Sequence, residues 1–327
     1  MVSKSSRKTM SDYELWALLD ATGFAISRLR QLVLSQINLT LEQAALLRFI
    51  QTVNGGTTVR RIKNTTLRQQ NTISINVNRM ARMGLVSIER KSGERELKIR
   101  LTDKGIVMLE NIPNTSLEAI YSVLTIEDRQ SFANTLNSLL ERARNMLVPD
   151  MPPFMRYIGN RIPQDKSDRL DQQDDSFSSY KLWMVLDTVR FAISRLRGLE
   201  LDRFGLTVEQ ASVLKVLVEK GTFVKSKELE NIMLRQHHSI STLVNRMMKV
   251  NLVAKQRKPG EKSDWILITD QGKRLFDQIT TAAIDVTFCI LSEGEKAQLA
   301  RCLSLLYKET RHQLRVPGLP FSTPVSS

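Results

Sequence analysis

The strongest constraint on the fold of this chain is an internal repeat. When residues 13–105 are aligned with residues 180–272 at a constant offset of 167, no gap is needed and about 40 of the 93 positions are identical. The alignment runs from Tyr13 over Tyr180 to Gly105 over Gly272, and a similar apolar pattern continues beyond it. The sequence therefore predicts two homologous units of roughly 140 residues, each of ordinary domain size.

A polar segment with four prolines separates the two units, and it is typical of a linker that is partly extended and partly flexible. We place the first unit at residues 10–147, the linker at 148–176 and the second unit at 177–315. The remaining residues, 316–327, are expected to form a flexible tail.

Charge and cysteine content narrow the class of protein. The chain has 48 Lys and Arg against 34 Asp and Glu, and its net charge of +14 favours a polyanionic partner, nucleic acid before an anionic membrane surface. Two cysteines, Cys289 and Cys302, exclude a disulfide scaffold and indicate a cytoplasmic protein.

We expect no membrane span or secretory signal, because no apolar run approaches 18 residues and no apolar segment follows the basic start. Membrane association is also disfavoured because no basic interfacial helix is recognisable.

Within one unit, the apolar period predicts helices at 13–35, 41–53, 58–64, 69–83 and 126–146, with another beginning at 102–105. Residues 85–90 and 97–101 alternate with period two, which indicates a two-stranded hairpin with a basic tip. The order helix, short helix, turn, helix, hairpin is a winged helix-turn-helix. The long flanking helices need a partner for their apolar faces. The predicted fold class is mainly α with small β-hairpin wings.

Each unit resembles the MarR family, the multiple antibiotic resistance regulators. The resemblance rests on the run 71–86, the wing end 99–105 and residues 124–128, with 239–253, 266–272 and 291–295 as their counterparts. It implies two winged helix-turn-helix domains whose flanking dimerisation helices interlock on a pseudo-palindromic operator. Because both units lie on one chain, we expect a pseudo-two-fold intramolecular dimer. In the alternative arrangement, each unit pairs with another chain, and further oligomerisation of the pseudo-dimer also stays open.

Contacts with DNA phosphates are expected from basic residues around the predicted recognition helices and wings. Residues 60–104 contain 12 Lys and Arg and 4 Asp and Glu, whereas residues 227–271 contain 8 and 5, so the first wing should bind DNA more tightly. A solvated basic surface is the alternative interpretation for each of these residues. The candidates are Arg68, Arg90, Lys91, Arg95 and Lys98 in the first unit and Arg235, Arg257, Lys258 and Lys262 in the second.

Base recognition is expected from the start of each recognition helix. The candidates are Gln69, Gln70, Asn71, Ser74 and Asn78, then Gln236, His237, His238, Ser241 and Asn245. The two sets differ, which predicts an asymmetric operator. For Asn78 and Asn245, the alternative is that each caps a helix or bridges two elements within its own domain. Many family members carry arginine where this chain has Ile75 and Thr242, so the base preference of the family does not transfer.

The resemblance also implies a site for a small amphipathic ligand between the dimer helices and the wing domain. The candidate residues are Trp16, Asp20, Phe24 and Arg28 on one helix and Trp183, Asp187, Arg190, Phe191 and Arg195 on its counterpart. Packing within the core and the interface is the alternative for the aromatic members. Neither cysteine has an activating environment in the sequence, so buried, inert thiols are expected.

The sequence thus predicts a sequence-specific regulator of transcription that binds double-stranded DNA, acts as a repressor by occupying a promoter, and is relieved by a small ligand. The alternative is a ligand- or redox-sensing or protein-interaction module whose DNA binding has decayed, which the missing arginine at 75 and 242 keeps open. Neither a phosphate-binding loop nor a nucleophile elbow nor a Cys/His cluster of zinc spacing is found, so we expect no enzyme, no cofactor and no metal.

Overall fold

The computed structural model describes residues 10–53, 56–90, 96–147, 178–221, 223–233, 235, 237–257 and 264–315. The described part of the first half follows the predicted order. Its elements are α1 (Asp12–Ser35), α2 (Leu41–Thr52), α3 (Val59–Thr66), α4 (Gln70–Arg82), β1 (Val86–Glu89), β2 (Lys98–Leu101), α5 (Asp103–Glu110), α6 (Thr115–Tyr121) and α7 (Ile126–Leu147).

The described part of the second half has the same succession of helices and strands, with one strand more. Its elements are α8 (Ser179–Asp202), α9 (Val208–Glu219), β3 (Phe223–Lys225), α10 (Ser226–Met233), α11 (His237–Lys249), β4 (Val253–Gln256), β5 (Trp265–Ile268), α12 (Asp270–Gln278), α13 (Ala282–Phe288) and α14 (Glu293–Leu314). The sequence analysis missed α6, α13 and β3.

Local signals explain where the helices begin. Thr40 accepts a hydrogen bond from the backbone N–H of Gln43, whose side chain bonds back to the Thr40 backbone, so a capping box opens α2. Thr207 and Gln210 form the same capping box at the start of α9. The predicted cap at Thr40 is confirmed, and the helix that it opens ends one residue earlier than predicted.

The helix-turn-helix is held by a narrow apolar stripe on its second helix. Ile73, Val77 and Met80 of α4 are buried at spacings of four and three, the spacing of one helix face. They join α2, α3 and the wing in a core of their own. Gly84, at φ +74°, ends α4 as predicted, because a left-handed backbone suits glycine.

The wings are antiparallel hairpins, as predicted. In the first, Val86 pairs with Leu101 and Ile88 with Ile99. In the second, β5 lies between β4 and β3, which makes a three-stranded sheet. The first wing has a single bridge, Thr57 to Ile99, where the second has β3.

The flanking helices form a central layer between the two wing domains. Helix α1 packs along α14 and against α8, and α8 packs along α7, so helices from the start and the end of each half contact the other half. Buried residues of α1, α6, α7, α8, α13 and α14 belong to one hydrophobic cluster, whereas each wing domain has a separate core. The central layer fixes where the two wing domains lie.

None of the described helices is by itself long and apolar enough to cross a membrane. The segment Asp270–Phe288 and the helix Glu293–Leu314 meet the length and composition criteria only as a pair, across a bend of 103°.

Candidate nucleic-acid interface and cavity

The face of α4 opposite its buried stripe is polar and exposed. Of the positions predicted to read bases, Gln70, Asn71 and Asn78 are exposed on α4 and Ser74 is half-buried, whereas the exposed Gln69, just before α4, also lines the cavity described below. Ile75 lies among them with 68% of its surface exposed. This helix can therefore present amide groups to the major groove without disturbing the domain core.

The corresponding face of α11 is partly engaged within its own domain. His237 and His238 are exposed and Ser241 is half-buried, and the His237 Nδ1 lies 2.6 Å from the Oε1 of Glu230. The Lys255 ammonium donates to the Asn245 side-chain oxygen at 2.9 Å, so this asparagine joins the helix to the wing. The two recognition helices thus present different side chains and different local partners.

Three of the predicted phosphate contacts lie on the described parts of the wings. Arg90 is exposed, Lys98 is half-buried, and the exposed Arg257 forms a long ion pair of 3.8 Å with Asp264. The other wing candidates and one base-reading candidate lie outside the described residues. These are Lys91, Arg95, Gln236, Lys258 and Lys262.

The structure places Arg68 and Arg235 away from this surface. Arg68 is ion-paired to Glu42 and, at 3.3 Å, to Asp187, and its guanidinium lies over the Phe191 ring of the other half. Arg235 pairs with Glu209 at 3.3 Å and lies over the Phe24 ring. Both guanidinium groups therefore connect a wing domain to the central helices. We therefore leave both out of the DNA surface proposed below.

A cavity of about 700 Å³ lies between α1, α8 and the second wing domain. Among its lining residues are six that the sequence analysis predicted for the ligand site: Trp16, Asp20, Phe24, Arg190, Phe191 and Arg195. Its far wall comes from α9 and the end of α10. The volume is that of a site for a small organic molecule.

The cavity combines aromatic walls with buried hydrogen-bond donors. The Trp16 indole Nε1 and the Arg190 Nε are buried, and neither meets an acceptor within the part of the chain that the structure describes. Lys215 lies 4.2 Å from the centre of the Tyr13 ring. Buried donors without a partner are costly, so the cavity favours an occupant that carries a hydrogen-bond acceptor.

Two ionisable groups of the cavity are strongly influenced by burial. Burial raises the pKa of the Asp20 carboxyl above its usual range, against the opposing charge of Arg190, whose Nη1 lies 3.4 Å from the carboxylate. Burial also raises the pKa of the Tyr13 phenol well above its usual range. Tyr13 is therefore a neutral wall of the cavity at physiological pH.

Three predicted ligand residues lie elsewhere. Trp183 is buried in the central hydrophobic cluster, in agreement with the alternative that the aromatic residues pack in the core. Arg28 is half-buried outside the cavity. Asp187 accepts from Arg190 at 2.9 Å and from Arg68 at 3.3 Å. The sequence analysis missed Tyr13 and Lys215. Tyr13 lies on α1 beside residues that were predicted, whereas Lys215 lies on α9, which shares no sequence signal with α1.

The described residues contain no group of three or more side chains that could hold a metal ion. Cys302 is buried, as expected, and burial raises the pKa of its thiol to about 11. Cys289 is exposed just past the end of the short helix α13, so the expectation of a buried thiol is wrong there.

Comparison with known proteins agrees with the geometry of the first wing domain. Residues 39–105 match the winged helix DNA-binding domain family. The chain thus contains a winged helix-turn-helix, and this match begins at Leu39, before α2, and ends at Gly105 in α5. No curated protein matches the chain by sequence.

Several solved structures are similar to part of the chain. One is an organohalide-sensing transcriptional regulator solved without ligand, which is 22% identical. The match spans 98% of that regulator and 50% of this chain, with a TM-score of 0.42. A MarR family regulator from Rhodococcus sp. RHA1 is 22% identical over 96% of its length and 40% of this chain, with a TM-score of 0.36. AbsC, a MarR family regulator from Streptomyces coelicolor, is 18% identical over its whole length and 45% of this chain, with a TM-score of 0.40.

Proposed function

We propose that this protein is a sequence-specific regulator of transcription that represses by occupying a promoter. The observation that carries the proposal is the exposed amide-rich face of α4 within a matched winged helix DNA-binding domain. With Arg68 left out, residues 60–104 contain 11 Lys and Arg against 4 Asp and Glu, and this excess of seven positive charges supplies the attraction to phosphates. Amide side chains are suited to adenine edges, so base reading by Asn71 and Asn78 follows from their exposure.

In this proposal, the two units act as the two halves of a dimer within one chain. The packing of α1 along α14 and of α8 along α7 supports it, because each flanking helix buries its apolar face against the other half. The two recognition helices would then enter successive major grooves, about one helical turn apart. The histidines of α11 replace the amides of α4, so the two half-sites would differ in sequence.

Footprinting tests this proposal. The full chain is titrated onto its own upstream DNA and onto a scrambled duplex of equal length at fixed, near-physiological salt. We expect one protected region of two half-sites, bound at least ~10³-fold more tightly than the scrambled duplex. Equal and weak binding to both duplexes would contradict the proposal and favour a sensing or protein-interaction module, the alternative that the exposed Ile75 keeps open.

Two substitutions separate base reading from phosphate attraction. Asn78→Ala should weaken binding to the protected site roughly tenfold or more and leave binding to the scrambled duplex unchanged. Arg90→Ala should weaken both and reduce the slope of log affinity against log salt by about 1. Lys308→Ala removes the same charge from an exposed position on α14 and serves as the matched control, with no expected change in slope.

We further propose that a small aromatic molecule with an anionic oxygen binds in the cavity and relieves repression. The buried Trp16 Nε1 and Arg190 Nε support this ligand class, because both donate and neither meets an acceptor among the described residues. The cavity wall is shared between the central helices and α9, the first helix of the second wing domain. An occupant would therefore change the position of the second recognition helix relative to the first.

Calorimetry and footprinting with benzoate and 2-naphthoate test this extension. We expect saturable binding and loss of protection at the second half-site. Trp16→Phe removes one donor and should weaken binding about tenfold, whereas Trp183→Phe, its counterpart outside the cavity, should not. Equal effects of the two substitutions would refute the assignment of the site.

A further inference from the structure

Two equivalent positions of the repeat meet where α1 and α8 cross, and one carries no side chain whereas the other carries a long, charged one. Gly23 corresponds to Arg190 at the offset of 167. A Cβ atom on Gly23 would lie 2.7 Å from the Cδ and 3.2 Å from the Nε of Arg190, closer than carbon atoms pack. The arginine of the second unit thus occupies the space that a side chain on the first unit would need.

The charge of this arginine is shared between the two units. Asp20 and Asp187 are also equivalent positions, and both carry the same residue. The Arg190 Nη1 lies 3.4 Å from the Asp20 Oδ1, and its Nη2 lies 2.9 Å from the Asp187 Oδ1. A second arginine here would bring two cations together, and without any arginine two partly enclosed carboxylates would lose this shared partner.

A second contact at the interface also involves equivalent positions that carry different residues in the two units. Asp128 on α7 accepts from Gln298 at 2.9 Å and pairs with Arg301, both on α14. The positions of the first unit that correspond to these two partners are Ser131 and Asn134, which carry no charge. Two copies of the first unit could not form this ion pair.

A third contact follows the same rule. The Lys296 ammonium on α14 lies 2.6 Å from the Asp12 Oδ1 at the start of α1. The second unit has Ser179 at the position equivalent to Asp12, so two copies of the second unit would leave the lysine without this carboxylate. The second contact is therefore lost in a pair of first units and the third in a pair of second units, whereas the contact of Gly23 with Arg190 is lost in both.

We propose that the interface is heterospecific, so that each unit fits the other unit of the repeat and not a copy of itself. Gly23 and Arg190 are the specificity-determining pair, because they contact each other directly. The proposal rests on the pairing of units put forward above. It means that the duplication has produced two complementary surfaces, and that chains do not join further through like units.

A cycle of four full-length proteins tests this proposal by thermal unfolding. Arg190→Gly creates the pair that two first units would make, and Gly23→Arg creates the pair that two second units would make. We expect each to lower the Tm by roughly 5 °C or more, since partly buried charges lose a partner or collide. The double variant, Gly23→Arg with Arg190→Gly, transposes the pair and should recover most of the loss, because an arginine at position 23 approaches the same two carboxylates from the other side.

The control is Gly198→Arg, the same change on α8 at a position where nothing lies within 4 Å of the added Cβ. It should leave the Tm within about 2 °C of the wild type. A double variant whose loss equals or exceeds the sum of the two single losses would overturn the proposal, as would singles that behave like the control. The cycle uses no DNA, so a failed footprint would not be mistaken for a failed interface.

Discussion

The close approach of α5 to the wing provides a quantitative test of how the DNA-binding domain is held together. Gly105 lies in the first turn of α5, and a Cβ added to it would lie 2.0 Å from the carbonyl oxygen of Leu85. That carbonyl precedes β1 and accepts the backbone N–H of Thr102 at 3.2 Å. Gly272 has the same relation to Leu252, at 2.2 Å. The contact is therefore a feature of both wing domains.

The size of the effect follows from the overlap. Carbon and oxygen atoms pack at about 3.5 Å, so α5 and the wing would have to separate by roughly 1.5 Å in Gly105→Ala. Overpacking of this kind costs about 1–3 kcal/mol, and the lost hydrogen bond of Thr102 adds about 1 kcal/mol. Alanine returns somewhat less than about 1 kcal/mol through its helix propensity. We expect a net loss of about 2 kcal/mol in the free energy of unfolding.

Urea denaturation followed by circular dichroism measures this loss. Gly198→Ala is the matched control, because its Cβ meets open space near the end of α8, and it should raise stability by up to about 1 kcal/mol. The two substitutions are chemically identical and should have opposite signs. Equal effects, or a neutral Gly105→Ala, would refute the claim that the wing is supported by this backbone contact.

Three further predictions concern buried groups. A thiol reagent at pH 8 should label one equivalent, on the exposed Cys289, and two after denaturation, because burial holds the pKa of the Cys302 thiol at about 11; Cys289→Ser should abolish native labelling. Arg30→Met should lower the free energy of unfolding by about 2 kcal/mol in urea titrations, since its guanidinium bonds the Pro113 carbonyl and the Asn114 side chain before α6. Burial raises the pKa of Asp20, so the folded state binds the proton of this carboxyl more tightly than the unfolded state does. The free energy of unfolding should therefore fall as pH rises from about 4 through the raised pKa. Asp20→Asn should flatten that part of the plot of unfolding free energy against pH.

Much of each wing domain could be predicted because the decisive signals are local. The apolar spacing of Ile73, Val77 and Met80 fixes which face of α4 is buried, and therefore which amides are exposed. The alternation in 85–90 and 97–101 indicated the wing strands to within one residue. Short elements such as α6 and β3 were missed because seven or three residues carry too little periodic signal, and their backbone is fixed by the helices and strands they pack on.

The direction of long side chains could not be predicted from the sequence. Arg68 was expected to reach DNA because it precedes a recognition helix, but it pairs with a carboxylate of α8, which is 119 residues away. The cavity was only half predicted for the same reason: its α1 and α8 walls share a recognisable pattern, whereas Lys215 reaches Tyr13 only after the chain has folded.

The sequence by itself determined the repeat, the local order of helices and wing, and the polar face of the recognition helices, because these depend on periodicity and on caps a few residues apart. Only the tertiary structure decided which helices interlock, where the cavity lies and which arginines turn inward. Those outcomes depend on contacts between residues more than a hundred positions apart, such as Gly23 with Arg190, and the packing of the central helices selects among them.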